Sequence, residues 1–132
     1  LAAVDQRKDL ALGIFEEERG RQELRAIGRY YLEEDGKRAE VAFVVHEGNR
    51  HAGMAGFLLG ELAVVAKRRK VKSFWASVLP ENRAMAGLFL AAGGEESKAA
   101  MDEERSFEIP VEKILRSRGK FLQRKNIERI DG

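Results

Sequence analysis

The residues best suited to chemistry lie in a run of small side chains between an apolar stretch and a helical pattern. The apolar stretch is residues 41–45, the small residues lie within 52–56, and the helical pattern covers 54–69. The first N–H groups of a helix have no intrahelical partner, and the helix dipole attracts an anion there. Small side chains let a ligand approach the backbone closely. Residues 39–56 therefore predict a site for phosphate.

Composition excludes several other kinds of site. The chain has 132 residues, no cysteine and only two histidines, so disulfides, thiolate chemistry and a histidine-rich metal site are not expected. It lacks an apolar run of about 18 residues and a signal peptide, which predicts a cytoplasmic protein with no membrane partner. The basic excess lies after residue 111 without interleaved aromatics, so no nucleic-acid partner is expected.

Periodicity predicts the elements that must position the site. In chain order these are strands at 10–15, 23–32 and 39–46, a helix at 54–69, a strand at 71–79, a helix at 82–92, and a weaker hairpin at 95–111. A loop is predicted at 16–22, and Gly28 marks a bulge or a close approach. The strand–helix–strand unit predicts parallel third and fourth strands. Residues 112–132 predict an amphipathic helical tail.

Two motifs carry a resemblance to a known family. Arg50-His51-Ala52-Gly53-Met54-Ala55 fits the pattern Gln/Arg-x-x-Gly-x-Gly/Ala, and Asn82-Arg83-Ala84-Met85 begins a helix that ends at Gly93-Gly94. In this order of elements they resemble the GNAT superfamily of N-acetyltransferases. The amino-acid sequences of residues 39–45 and 78–85 are similar to those of bacterial protein lysine acetyltransferases of the Pat type. The resemblance covers about residues 5–111.

The resemblance implies an α/β fold, with a mixed sheet and helices on both faces. It also implies a domain at 1–111 that lacks the usual N-terminal strand and helices, followed by the 112–132 tail. Acetyl-CoA would be the acyl donor, without a metal. The residues implied to bind it are Phe43, Val44, Val45, Arg50, His51, Ala52, Gly53, Met54, Ala55, Gly56, Asn82 and Phe89. The main chain of 43–45 would hold the pantetheine arm, and the 51–56 turn would hold the pyrophosphate.

A lysine amine is mostly protonated at neutral pH, so its acetylation needs a base. The resemblance to the Pat type implies that the acidic residue at the start of the central strand, Glu40, is that general base. Its simpler interpretation is a solvated carboxylate paired with Arg38 or Lys37. Asn82 is equally well explained as a helix cap. Phe89 stands where the family often has a tyrosine acid, and Ala52 where it often has a basic residue.

The predicted function is acetyl-CoA-dependent acetylation of a lysine amine on a protein partner. The alternatives are a non-catalytic acyl-CoA-binding or regulatory domain, and an acetyltransferase for small amines. A sheet without its first strand would expose an unpaired edge near residues 10–15. That edge, or the amphipathic tail, predicts a homodimer.

Overall fold

A continuous apolar run in the first strand and alternating apolar side chains in the next two build an antiparallel meander, which the remaining elements extend. In the computed structural model, which describes residues 9–49, 53–97, 104–118 and 126–130, it comprises β1 (Asp9–Glu18), β2 (Arg21–Leu32) and β3 (Arg38–Val45). A 3₁₀ turn at Glu47–Asn49 follows. The remaining elements are α1 (Met54–Arg68), β4 (Ser73–Val78), α2 (Arg83–Ala91), β5 (Glu95–Glu96), β6 (Arg105–Pro110), α3 (Val111–Ser117) and β7 (Asn126–Arg129).

The first hairpin is tighter than the sequence predicts. Arg19 and Gly20, with φ of 54° and 78°, are the only residues between the two strands, and Glu18 pairs with Arg21. Positive φ at both central residues matches the twist of the flanking strands, so pairing continues to the turn. The predicted loop at 16–22 is therefore wrong. Gly28 is confirmed as a close approach, because a Cβ there would lie 2.9 Å from the Phe43 ring and 3.0 Å from Leu58.

The sheet has the order β5-β6-β4-β3-β2-β1-β7. The parallel pairing of β3 with β4 is confirmed, and the other neighbours are antiparallel. β7 pairs with β1 from Leu12–Arg129 to Phe15–Asn126, so the edge predicted to be unpaired is covered. The predicted helical tail is confirmed only over α3, since residues 126–129 form a strand. The domain division at residue 111 and the dimer stay predictions.

The three described helices lie on one face of the sheet instead of on both. Leu58 of α1 contacts the position of Gly28, and Phe89 of α2 packs against Phe43 and Phe107 on the same side. The crossovers from β3 to β4 and from β4 to β5 advance in the same direction, so right-handed connections place α1 and α2 on one side. α3 joins α1 through the ion pairs Lys67–Glu112 and Glu61–Arg118.

The opposite side of the sheet, here called the open face, has no helix among the described residues. It carries exposed or half-buried side chains, which include Tyr31, Arg38, Glu40, Val44, Trp75 and Glu108. The helix-covered side holds the fully buried core, with Tyr30, Phe74 and Phe107 each at most 1% exposed. No described helix is long and apolar enough to cross a membrane.

Candidate functional site

The central parallel pair of strands is joined over only a short distance. Its register runs from Arg38–Ser73 to Glu40–Trp75 and then stops, although β3 continues to Val45 and β4 to Val78. Parallel strands that stop pairing leave main-chain groups that need other partners. The two strands therefore diverge at Glu40 and open a gap between their carboxyl ends.

Strand alternation shows which backbone groups face this gap. The N–H of His46 donates to the carbonyl of Arg25 on β2, at 2.7 Å. Groups on alternate residues of a strand point in opposite directions, so the N–H and C=O of Phe43 and Val45 point away from β2 and toward the gap. An extended ligand with amide groups can pair with them as a further strand would.

Phe89 acts as a wedge beside the gap. Its ring lies 6.2 Å from the Phe43 ring and 5.8 Å from the Phe107 ring, and the residue is 1% exposed. It thus packs α2 against side chains of β3 and β6. Phe89 belongs to the core and is not among the residues that line the cleft, so the prediction that it contacts the cofactor has no support from its position.

The first turn of α1 forms one end of the cleft. Gly53 is the N-cap in a left-handed conformation, with φ 76° and ψ 11°, which favours glycine. Its carbonyl accepts from the N–H of Phe57 at 3.0 Å. The cap makes no side-chain hydrogen bond, and the first turn has no acidic residue. The predicted contacts at Arg50, His51 and Ala52 lie outside the described residues.

The N-terminus of α2 forms the opposite wall. The side chain of Asn82 accepts from the N–H of Met85 at 3.2 Å, so its role as a helix cap is confirmed. Asn82 also lines the cleft. The cap fixes the direction in which the first turn of α2 faces β3.

The cleft has a volume of about 890 Å³, within the range of small-molecule sites. It brings together eight of the predicted cofactor contacts, namely Phe43, Val44, Val45, Gly53, Met54, Ala55, Gly56 and Asn82. Five lining residues were not predicted: Glu81, Arg83, Ala84, Met85 and Leu88. Helical spacing from Asn82 would have found Met85 and Leu88, which follow it by three and six positions.

Glu40 lies where the two strands part. It is half-buried on the open face, in register with Tyr31 on β2 and Trp75 on β4. The structure gives it no hydrogen bond or ion pair within the described part of the chain. Arg38 pairs instead with Glu108 and Glu33, both at 2.9 Å. The ion pair of Glu40 with Arg38 or Lys37, which the simpler interpretation predicts, is not seen among the described residues. Glu40 is not among the cleft-lining residues.

The paired end of β3 and β4 is cross-linked by polar side chains. Arg38 hydrogen bonds to Glu108, Ser73 donates to Glu108 at 2.7 Å, and the indole of Trp75 donates to Glu33 at 2.7 Å. The hydrogen bond from Arg38 is the main cause that lowers the pKa of Glu108. The same contact raises the pKa of Arg38. This network holds the strands together immediately before they diverge.

Comparison with solved structures assigns the fold. The GNAT domain of S. lividans PAT is 29% identical, with a TM-score of 0.68 over 80% of this chain and 62% of that one. A cAMP-binding acyltransferase from Mycobacterium smegmatis is 23% identical, with a TM-score of 0.66 over 86% of this chain and 39% of that one. This chain thus spans less than two thirds of either. No protein-family model and no curated protein matches the sequence.

A variant of the spermidine N-acetyltransferase of Vibrio cholerae shares the fold at lower identity. It is 14% identical, with a TM-score of 0.64 over 86% of this chain and 72% of that one. The predicted resemblance is confirmed at the level of fold: the chain has the GNAT acetyltransferase fold, which it shares with the GNAT domain of PAT and with a spermidine N-acetyltransferase.

Proposed function

We propose that this chain is an acetyl-CoA-dependent N-acetyltransferase whose acceptor is a lysine amine on a protein. The observation that carries the proposal is the gap between β3 and β4, into which the backbone groups of Phe43 and Val45 point. The pantetheine arm of acetyl-CoA has two amides in an extended chain, and it fits such a gap as a short strand would. The pyrophosphate then meets the first turn of α1.

The position of Glu40 supports a catalytic role. The carboxylate is on the open face where the strands part, so an amine that approaches from that face meets both the base and the gap. Glu40 accepts a proton from the amine, directly or through one water. The neutral nitrogen then forms a bond to the thioester carbonyl carbon, the C–S bond breaks, and the thiolate leaves with the electron pair. The second proton of the nitrogen passes to the departing thiolate or to water, which leaves a neutral amide.

The buried Phe89 is compatible with this chemistry. A thiol has a pKa of about 8.5, so the thiolate is stable enough to leave without a proton from the enzyme. No acid is therefore required at the position of Phe89, which the structure uses for packing. Among the described residues no group of acids and histidines could hold a metal ion, and the proposed transfer needs none.

The choice of a protein as acceptor is supported by two features. The S. lividans domain, which shares 29% identity with this chain, is the GNAT domain of PAT. The sequence resemblance is likewise to protein lysine acetyltransferases of the Pat type. On the open face Tyr31 and Val44 are 43% and 68% exposed, which suits this face to a lysine side chain presented on another protein's surface.

Mass spectrometry of acceptors incubated with acetyl-CoA tests the proposal. Lysine-containing proteins and peptides should gain one acetyl group per modified amine, and spermidine should be a poorer acceptor. Acetylation of spermidine alone would transfer the proposal to small amines. Calorimetric binding of CoA without modification of any amine would show a non-catalytic binding domain, and absence of CoA binding would refute both forms of the proposal.

A further inference from the structure

Three residues on neighbouring strands form a row across the open face. Tyr31 on β2 is paired with Glu40 on β3, which is paired in turn with Trp75 on β4. Side chains in register project from the same side of a sheet, and neighbouring strands lie about 4.8 Å apart. The row therefore places a carboxylate between two aromatic side chains, at the point where β3 and β4 begin to diverge.

Core packing does not account for this aromatic pair. The preceding residues on the same strands, Tyr30 and Phe74, are fully buried on the helix-covered side, with ring centroids 5.7 Å apart. Tyr31 and Trp75 project from the opposite side and are not part of this core. Tyr31 is 43% exposed. The open face thus carries aromatic surface that the described part of the chain leaves uncovered.

The two aromatic side chains differ in how firmly they are held. The indole N–H of Trp75 donates to Glu33 at 2.7 Å, and the guanidinium of Arg38 lies 5.0 Å from the centre of the ring. The Tyr31 side chain has a single hydrogen bond among the described residues, a long one of 3.4 Å that its hydroxyl accepts from Arg29. This contact is at the hydroxyl end, and no guanidinium in the described ranges lies over the ring. The face of the Tyr31 ring is therefore available to a ligand.

A carboxylate beside an aromatic ring suits a primary amine on an alkyl chain. The face of an aromatic ring attracts a cation within about 6 Å of its centre, and the methylene groups of a lysine pack against apolar surface while its charged end stays in polar surroundings. Arg38 pairs with other carboxylates, so the carboxylate of Glu40 is left to accept from the ammonium group. The same negative charge repels an anionic ligand. The row thus favours an acceptor amine over the phosphates of CoA.

We propose that Tyr31 is a specificity-determining residue for the acceptor, whose ring packs against the methylene groups of a lysine side chain and holds its ammonium group beside Glu40. Trp75 forms the fixed wall on the other side. This inference rests on the proposed function and names the residue that selects the acceptor. The ring binds the charged amine before Glu40 takes the proton. Because this attraction is not stronger in the transition state, Tyr31 lowers the KM for the acceptor and leaves kcat nearly unchanged.

Steady-state acetylation of a lysine-containing peptide at saturating acetyl-CoA tests the assignment in the wild type, Tyr31→Thr, Tyr31→Phe and Leu24→Thr. Threonine is favoured in strands, so Tyr31→Thr removes the ring without opposing the strand. It should raise the KM for the peptide about three- to tenfold and keep kcat within about twofold. Tyr31→Phe keeps the ring and should keep the wild-type KM.

Leu24→Thr is the matched control. Leu24 is 41% exposed on the same strand, about 23 Å from Tyr31 along β2, and is in register with Phe15 on β1. This substitution removes exposed apolar surface far from Glu40 and should leave the KM for the peptide unchanged. CoA affinity, measured by calorimetry, should be equal in all four proteins, because neither Tyr31 nor Leu24 lines the cleft.

The outcomes separate this inference from the proposed function. An unchanged KM in Tyr31→Thr, or an equal rise in Leu24→Thr, would overturn the role of Tyr31. A rise in Tyr31→Phe as large as in Tyr31→Thr would do the same, since the ring would then not matter. A joint loss of kcat, CoA affinity and Tm in Tyr31→Thr would show a structural role and also overturn it. If the wild type acetylates no lysine peptide, the proposed function fails and this inference fails with it.

Discussion

The two ends of the β3–β4 pair differ in how their polar groups are satisfied. At the paired end the backbone groups bond between the strands, and Arg38, Ser73, Trp75, Glu33 and Glu108 connect the side chains. At the diverging end the backbone groups of Phe43 and Val45 face a cleft instead of a strand. The same two strands are thus hydrogen bonded to each other at one end and, a few residues later, separate to form a binding surface.

The difference shows how a sheet can present its main chain to a ligand away from its edge strands. Exposed ladder groups are usually found on edge strands, where they invite aggregation. Here they lie in the middle of a seven-stranded sheet, protected by α1, α2 and the Phe89 wedge. The network at the paired end fixes where the divergence begins, and Glu40 is the last residue before it.

The largest effect is expected from a change at this boundary. Glu40→Gln removes the proposed base and keeps the shape of the side chain, so acetyl transfer should fall by about 10²–10⁴-fold. CoA affinity should remain unchanged, because Glu40 does not line the cleft. Steady-state rates and calorimetry measure the two quantities separately. Glu34→Gln, an exposed acid in the next turn back, is the control, and full turnover by Glu40→Gln would remove its assigned role.

The second largest effect is expected from Phe89, whose side chain should stabilise the packing of α2 against β3 and β6. Phe89→Ala leaves a cavity between Phe43 and Phe107, which should cost about 3–5 kcal/mol of the free energy of unfolding. Denaturant titration measures the loss. Leu90→Ala on the same helix is the control, since Leu90 is 47% exposed and should change stability by about 0.5 kcal/mol or less. Equal losses for the two variants would contradict the wedge.

The comparison also separates what the sequence could predict from what it could not. Periodicity predicted the order of the elements through α2 and the parallel β3–β4 pair, because these patterns are local. Asn82 and the small residues from Gly53 to Gly56 were found for the same reason, since caps and helix starts depend on near neighbours.

Contacts between distant residues were not predictable in this way. The pairing of Leu12 with Arg129 covers the β1 edge, and nothing in either short segment specifies the other. Arg38 had Glu40 two residues away, yet it pairs with Glu108, which only the register of β4 with β6 brings near. Phe89 was predicted to contact the cofactor but is buried in the core, because an apolar helix face does not reveal which neighbour it packs against.

A proline pair tests the backbone groups at the diverging end. Val45→Pro removes an N–H that points toward the cleft, so CoA binding should weaken about three- to tenfold while the β2 ladder is kept. Val44→Pro removes an N–H that points toward β2 and should lower stability by about 1–3 kcal/mol. Val44 is 68% exposed, so lost side-chain packing contributes little. Unchanged CoA affinity in Val45→Pro would exclude that N–H as a ligand contact.

The smallest effect is expected at the paired end, from Glu108→Gln. The Arg38 hydrogen bond lowers the pKa of Glu108 in the folded state, so this carboxylate contributes stability above its unfolded pKa of about 4.3. The contribution is lost as the pH falls through the lower, folded pKa. With the side chains of Arg38 and Glu108 40% and 45% exposed, it should be about 1 kcal/mol or less at pH 7.

Denaturant titrations from pH 7 to pH 3 measure this contribution as the stability difference between wild type and Glu108→Gln. The difference should shrink as the pH falls. A difference that grows toward low pH would reverse the assigned sign. CoA affinity should be equal in wild type and Glu108→Gln. The network connects the strands where they are paired, whereas the proposed ligand contacts follow Glu40 along β3, where the strands have diverged. A loss of affinity in Glu108→Gln would mean that the polar network at the paired end and CoA binding in the cleft are energetically coupled.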